Sequence, residues 1–213
     1  MKITAVKTMG LRWECPIMSD AMSVCKARQA FWIKIETDTE IYGIGEAFCY
    51  GSPLMIAKYI VEDQLAPAII GEDPENIELL WQKMYWRNVP NGRTGLVMGC
   101  ISGIDIALWD ILGKAAKMPI SKLLGAHSDR VPAYASGGFY APGKNLDGLK
   151  KEVEGYLKKG YQDVKIKIGR NPEIAGNAVN YTASTEFAVS YEEDIRRIAA
   201  TRELVGPQGR VAA

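Results

Sequence analysis

Two lysines that alternate with apolar residues are the first sign of chemistry in this sequence. In DVKIKIGR, residues 163–170, valine and isoleucine side chains alternate with Lys165 and Lys167. Alternate residues of a β-strand share one face, so both ammonium groups lie opposite the apolar side chains. Residues two apart are roughly 7 Å apart, where two positive charges repel by about 2 kcal/mol at an effective dielectric constant of about 20. On a solvent-facing strand these lysines are ordinary surface charge, whereas inside a barrel they are amines available for acid–base chemistry.

The segment around the lysines alternates between predicted strands and helices. A short strand ends at Gly137-Gly138, and an amphipathic helix covers residues 146–161. The lysine strand comes next, and a second helix, YEEDIRRIAATRELVG, closes at Gly206-Pro207. This alternation predicts parallel βα units. We expect the acidic pair in YEEDIRR to lie on an exposed helix face with partners at i+4 spacing.

The first half of the chain has a different pattern. The opening strand and residues 28–48 predict an antiparallel meander of three strands with a turn at 37–40. Ser52 and Asp73, each followed by proline, are helix start signals. A third helix is predicted over about residues 96–117, and its apolar character on nearly all sides indicates that it is buried. An α+β arrangement of a meander and three helices follows.

Composition excludes several classes of partner. The chain has 26 basic and 25 acidic residues, which gives no large field for nucleic acid or an anionic membrane. Its four cysteines have no metal-ligand spacing, and we interpret them as free thiols in a reducing compartment: Cys15, Cys25, Cys49 and Cys100. No uninterrupted apolar run approaches the length of a membrane span. We therefore expect a cytoplasmic protein without nucleic-acid or membrane partners.

Three sequence motifs carry a family resemblance. CISGIDIALWDILGK, residues 100–114, is similar to a characteristic A-I-S-A-I-D-I-A-L-W-D-I-x-G-K helix, with Cys100 in the first position. VKIKIG, residues 164–169, matches a K-x-K motif at the end of a second barrel strand, and YGIGEA, residues 42–47, matches a hairpin-to-loop sequence. Over nearly its whole length the chain resembles the enolase superfamily, specifically its mandelate racemase and muconate lactonizing enzyme group.

The resemblance implies a fold of two parts. Residues 1–128 would form an α+β capping domain, the antiparallel meander plus three helices. Residues 129–213 would begin a (β/α)7β TIM-like barrel, with two βα units and the start of a third strand. A barrel of this kind takes roughly 250 residues. We therefore expect the barrel to be incomplete in this chain, which would be a fragment of a longer protein.

The resemblance also implies a set of site residues. Lys167 would be the catalytic base, with Lys165 beside it. Ser136, at the end of the first barrel strand, would contact the substrate. Arg12 and Tyr50, in capping-domain segments, would contribute to substrate binding.

By the same resemblance, the parent protein would be a Mg²⁺-dependent enzyme that removes the proton α to a carboxylate. The expected metal ligands lie beyond Ala213, so we expect none in this chain. We favour an acid-sugar dehydratase acting on a small-molecule carboxylate, in a homo-oligomer. A racemase, epimerase or cycloisomerase is the first alternative. The second is a truncated, catalytically inactive chain that lacks the metal ligands.

Overall fold

Two compact units make up the described part of the chain. A computed structural model describes residues 1–21, 23–49, 51–91, 93–171 and 187–213. One unit contains Met1–Trp13 and Gln29–Asp129, and the other contains Glu14–Arg28 and Arg130–Ala213. Compact units need not coincide with domains, so the boundary between residues 128 and 129 stays a prediction.

The first sheet is the predicted meander. Its strands lie in the order β1, β2, β3 and are Ile3–Ser19, Val24–Thr37 and Tyr42–Ala47. β2 and β3 pair antiparallel, with Trp32 opposite Glu46. On β2, Phe31, Ile33 and Ile35 point into the core at the two-residue period that the sequence predicts.

The helices of the first unit follow the meander. They are α1, Leu54–Tyr59, continued by a π-helical turn and a 3-10 turn to Ala68; α2, Ile77–Asn88; α3, Leu96–Ala115; and the short α4, Ile120–Leu123. Two starts differ from the prediction. Pro53, not Ser52, is the N-cap of α1. α2 begins later than expected because the Asp73 carboxylate accepts a hydrogen bond from the Glu75 N–H at 3.0 Å, which makes a turn there instead of a helix.

Glycines allow α3 to lie directly against β3. A Cβ added at Gly43 would lie 1.9 Å from the carbonyl oxygen of Ala107, and one at Gly45 would lie 2.0 Å from that of Gly103. Any larger residue at either position would push the helix off the strand. The glycines of YGIGEA and the small residues of α3 are therefore two sides of one packing contact.

α3 is also the one helix among the described residues that is long and apolar enough to cross a membrane. Its Ile101, Ile104, Leu108 and Ile111 are fully buried in the core of the first unit. Core packing therefore accounts for its apolar character.

The second sheet consists of parallel strands, as predicted. β5, Asp163–Lys165, lies between β4, Tyr134–Ser136, and β6, Val211–Ala212. The helices of this unit are α5, Leu146–Lys158, and α6, Tyr191–Val205. Each begins at a side-chain cap: Asn145 accepts a hydrogen bond from the Gly148 N–H at 3.0 Å, and Ser190 accepts one from the Glu193 N–H at 3.2 Å.

The apolar face of the lysine strand packs on the helices. Val164 and Ile166 are buried in one cluster with Leu149 and Val153 of α5. The hydrogen-bonded strand β5 stops at Lys165, earlier than the predicted strand, where it is paired with the last residues of its two neighbours, Ser136 of β4 and Ala212 of β6.

Candidate active site

Ser136 and Lys165 lie side by side at the carboxyl ends of their strands. The parallel register of β4 and β5 pairs Ser136 with Lys165, and it pairs Ala135 with Val164. Paired residues of adjacent strands share a face. Ala135 and Val164 are both buried, so Ser136 and Lys165 occupy the opposite face. A hydroxyl and an ammonium group are thus placed together.

Lys167 continues the same alternation two residues beyond β5. Val164 and Ile166 are buried, whereas Lys165 and Lys167 are only partly buried. The ammonium nitrogen of Lys167 lies 5.3 Å from the centroid of the Phe139 ring, within cation–π range. The aromatic face therefore contributes to the position of the Lys167 ammonium.

A salt bridge holds the loop that carries Phe139. Lys144 Nζ donates to the Phe139 carbonyl oxygen at 2.8 Å and forms an ion pair with Glu152 of α5. Glu152 also accepts hydrogen bonds from the Tyr156 hydroxyl at 2.6 Å and the Gly138 N–H at 3.1 Å. Burial alone would raise the pKa of Glu152, but the hydrogen bonds from these three groups outweigh it and hold that pKa below its ordinary value.

Gly137 and Gly138 let this loop approach both α5 and the lysine segment. A Cβ at Gly137 would lie 2.1 Å from the Tyr156 hydroxyl oxygen. Gly138 has φ +64°, and a Cβ there would lie 2.6 Å from the Cβ of Ile166. Glycine is therefore required at the turn on both steric and backbone grounds.

Asp194 and Arg197 of α6 bind the backbone around the lysines. Arg197 Nη2 donates to the carbonyl oxygens of Gly138 at 2.6 Å and of Lys167 at 3.3 Å. Asp194 Oδ2 accepts from the Gly169 N–H at 2.8 Å. Asp194 is 6% exposed and Arg197 is 2% exposed. The burial of these two residues was not predicted, because the expectation of an exposed helix face concerned only the acidic pair of YEEDIRR.

Tyr140 completes this buried network. Its hydroxyl donates to Asp194 Oδ1 at 2.7 Å, and its ring lies 4.5 Å from the guanidinium carbon of Arg197. Burial, followed by the hydrogen bond to Asp194, raises the pKa of Tyr140 well above its ordinary value. The phenol thus remains a neutral donor over the physiological pH range.

The tip of the β1–β2 hairpin binds the same two loops. Ser19 and Tyr140 exchange backbone hydrogen bonds of 2.7 and 2.9 Å. Arg170, which is fully buried, donates from Nη1 to the Asp20 carbonyl oxygen at 2.9 Å. The hairpin tip is thereby tied to the loops that follow β4 and β5.

Comparison with known proteins identifies the family. Residues 3–125 match the family model described as mandelate racemase / muconate lactonizing enzyme, N-terminal domain. The chain belongs to the mandelate racemase/muconate lactonizing enzyme family. The family and the fold class predicted from the sequence are therefore confirmed.

Relatives within this group include named dehydratases and a racemase. An arabinonate dehydratase of Saccharolobus solfataricus is 41% identical over 179 residues, which are 84% of this chain and 43% of that protein. An L-talarate/galactarate dehydratase of Salmonella typhimurium is 38% identical over 152 residues, 70% of this chain and 33% of that protein. The structure of a racemase from Streptomyces coelicolor with bound magnesium superposes with a TM-score of 0.82 at 28% identity, covering 98% of this chain and 54% of that one. The chain thus spans 33% to 54% of the length of these three proteins.

The mandelate racemase/muconate lactonizing enzyme motifs identified the two lysines but not the residues that position them. Phe139, Glu152, Asp194 and Arg197 were not among the residues predicted to act at the site. One signal was present in the sequence: Asp194, Arg197 and Thr201 recur at helical spacing and share the buried stripe of α6.

The two predicted substrate contacts from the capping region have different outcomes. Arg12 is an exposed residue of β1 in the first unit. Tyr50 lies outside the described residues. Substrate binding by Arg12 and Tyr50, like the roles of Lys165, Lys167 and Ser136, stays a prediction.

A magnesium site is not formed by the described residues of this family member. Within those residues, no three His, Cys, Asp or Glu side chains come together as a metal-binding group. The ends of β4 and β5 supply a hydroxyl and ammonium groups, whereas Mg²⁺ prefers carboxylate oxygens. The donor set therefore does not fit the ion.

Proposed function

We propose that the full-length protein is an acid-sugar dehydratase that removes the proton α to a carboxylate. The observation that carries the proposal is the register of Ser136 with Lys165, with Lys167 continuing on the same side. This arrangement occurs in a chain whose relatives include an arabinonate dehydratase and an L-talarate/galactarate dehydratase.

In the proposed reaction, Lys167 acts as the general base. Its amine accepts the α-proton, which requires the neutral form of the side chain before each turnover. Lys165, two residues before Lys167, and its register partner Ser136 bind the substrate carboxylate through an ammonium and a hydroxyl group. A positive charge beside the carboxylate favours the negative charge that develops when the α-proton leaves.

The residues that position Lys167 are part of the same proposal. Phe139 lies over the Lys167 ammonium and so restricts where the nitrogen can move. Arg197 and Asp194 hold the backbone on both sides of that residue. A base positioned before substrate arrives loses less entropy in the transition state than a mobile one.

Magnesium is part of the proposal for the full-length protein. Its ligands would be side chains other than those described here, as the donor set at the strand ends requires. The ion would supply concentrated positive charge next to the carboxylate. Cytoplasmic location and assembly into a homo-oligomer likewise stay predictions.

Dehydration and racemisation differ after the shared first step. A dehydratase loses the β-hydroxyl group, and the enol that forms converts to a 2-oxo acid. A racemase or epimerase returns a proton to the α-carbon without losing water. The similarity to the magnesium-containing racemase structure keeps an isomerase as the second candidate. A catalytically inactive chain is the third, as predicted from sequence.

The test uses the full-length protein with Mg²⁺ and a panel of aldonates and aldarates. We expect a 2-oxo acid product, measured by a carbonyl reagent, and a loss of about 10³-fold in kcat for Lys167→Ala. Lys151→Ala, an exposed lysine of α5, is the matched control and should retain wild-type activity. Exchange of the α-proton in deuterated water without a 2-oxo acid would favour the isomerase. Full dehydratase activity in Lys167→Ala would overturn the proposed role of the base.

A further inference from the structure

Cys15 and Cys25 form a pair of neighbouring thiols on the β1–β2 hairpin. Their sulfur atoms are 3.9 Å apart. Cys15 lies on β1 and Cys25 on β2, adjacent strands of the first sheet. Both are free thiols and both are partly exposed to solvent. Two thiols in contact, within reach of small molecules, can react with one another as a unit.

The other two cysteines have a different environment. Cys49 and Cys100 are buried in the core of the first unit. Burial raises the pKa of the Cys100 thiol to about 12; desolvation and the neighbouring Cys25 also raise the pKa of Cys15, so the contrast between the two sets of thiols rests on solvent access. The reactivity of the two accessible thiols can therefore be compared with that of the two buried thiols in the same chain.

Cys15 and Cys25 lie on the two strands of the β1–β2 hairpin, one on each side of its tip. The residues between the two cysteines include Ser19 and Asp20, whose backbone binds Tyr140 and Arg170. A covalent link between positions 15 and 25 would therefore join the two strands directly behind this docked tip. Reduction would release the link without removing the hydrogen bonds of the tip.

We propose that Cys15 and Cys25 are a reversible redox modification site that closes to an intramolecular disulfide on reaction with a small-molecule disulfide. The thiolate of one cysteine attacks a sulfur of the reagent, and one small thiol leaves as a mixed disulfide forms. The second cysteine attacks the protein sulfur of that mixed disulfide and displaces the second small thiol. Two protein thiols are oxidised, one small-molecule disulfide is reduced, and two small thiols are released.

Geometry favours the second step. A disulfide requires the sulfur atoms to approach from 3.9 Å to about 2.05 Å. The two sulfurs therefore need to approach by only about 2 Å, and closure should outpace reaction with a second reagent molecule.

Oxidised glutathione is the probe for the test, applied to the full-length protein. Free thiols are then alkylated, and peptides are identified by mass spectrometry without reduction. We expect a cross-linked peptide pair joining Cys15 to Cys25, the loss of two alkylation sites, and recovery of both on treatment with dithiothreitol. Cys49 and Cys100 should remain reduced.

Matched variants separate closure from simple reactivity. Cys15→Ser and Cys25→Ser each leave one thiol of the pair, which should accumulate as a stable glutathione adduct. Cys49→Ser should close its Cys15–Cys25 pair as the wild type does. A stable adduct on Cys15 or Cys25 in the wild type, no reaction at either thiol, or cross-links only between chains would overturn the proposal. The wild-type measurement needs no variant and no enzymatic assay, so its outcome is independent of the proposed function.

Discussion

Arg197 Nη2 lies 3.3 Å from the carbonyl oxygen of Lys167 and donates a hydrogen bond to it. The same nitrogen donates to the carbonyl oxygen of Gly138, the turn residue after β4. One buried side chain of α6 therefore ties together the segments that follow β4 and β5. The candidate base is positioned by a residue that binds its backbone, not its amine.

Removing the Arg197 side chain should destabilise the protein more than removing that of its neighbour, Arg196. We expect Arg197→Ala to lower the free energy of unfolding by about 3–5 kcal/mol, because Asp194 is left as a buried charge without its ion-pair partner. Urea unfolding followed by circular dichroism measures the change. Arg196→Ala is the control: Arg196 is exposed and paired with Glu193, and its loss should cost no more than about 1 kcal/mol. Equal effects of the two substitutions would contradict the role assigned to Arg197.

Two glycines of the second unit should respond in opposite directions to alanine. Gly138→Ala should destabilise, because the residue has φ +64° and the new methyl group would clash with Ile166. Gly155 lies within α5, and a Cβ added there would meet nothing within 4 Å, so Gly155→Ala should stabilise by about 0.5–1 kcal/mol. Thermal unfolding of the two variants checks both signs. A stable Gly138→Ala variant would show that the turn can adopt another conformation.

Glu152 should make stability depend on pH in the acid range. Its folded-state pKa is held below the ordinary value of 4.5, so it stabilises the folded chain above about pH 4.5. That contribution is lost as pH falls through the lower folded-state pKa. Glu152→Gln should therefore be less stable than wild type at pH 7 and show a flatter decline in acid, measured by urea unfolding across pH.

The exposed Glu154 of the same helix supplies the control for that experiment. Glu154→Gln should follow the wild-type pH dependence. A Glu152→Gln variant with the wild-type slope in acid would mean that the ion pair with Lys144 does not stabilise the folded state.

Phe139 should affect the reaction more than the fold. Phe139→Leu keeps an apolar side chain but removes the aromatic face near Lys167 Nζ. Because the ring restricts where Lys167 Nζ can move, a positional cost of about 1 kcal/mol in the transition state should lower kcat/KM roughly fivefold, with stability lowered by less than about 1.5 kcal/mol. Steady-state kinetics on the full-length protein, beside unfolding measurements, check the two numbers. Tyr161→Leu, an exposed aromatic residue between α5 and β5, should leave kcat/KM unchanged.

Local patterns in the sequence were sufficient to predict the main architecture. The alternation around Lys165 predicted which residues share a face, and the burial of Val164 and Ile166 confirms it. The strand and helix patterns predicted an antiparallel meander followed by parallel βα units, and both sheets have that form. Such predictions succeed because side-chain direction repeats every two residues in a strand and about every 3.6 in a helix.

Contacts between distant segments were decided only by the tertiary structure. The burial of Asp194 and Arg197 was not predicted: Tyr140, Gly169 and the carbonyls of Gly138 and Lys167 lie around them. Likewise, the pairing of Cys15 with Cys25 depends on how β1 and β2 meet. A buried charge is stable only when complementary groups from elsewhere in the chain surround it, and a local pattern does not record which groups those are. The sequence by itself therefore determined the side of the strand that carries the lysines, while the fold decided what holds them there.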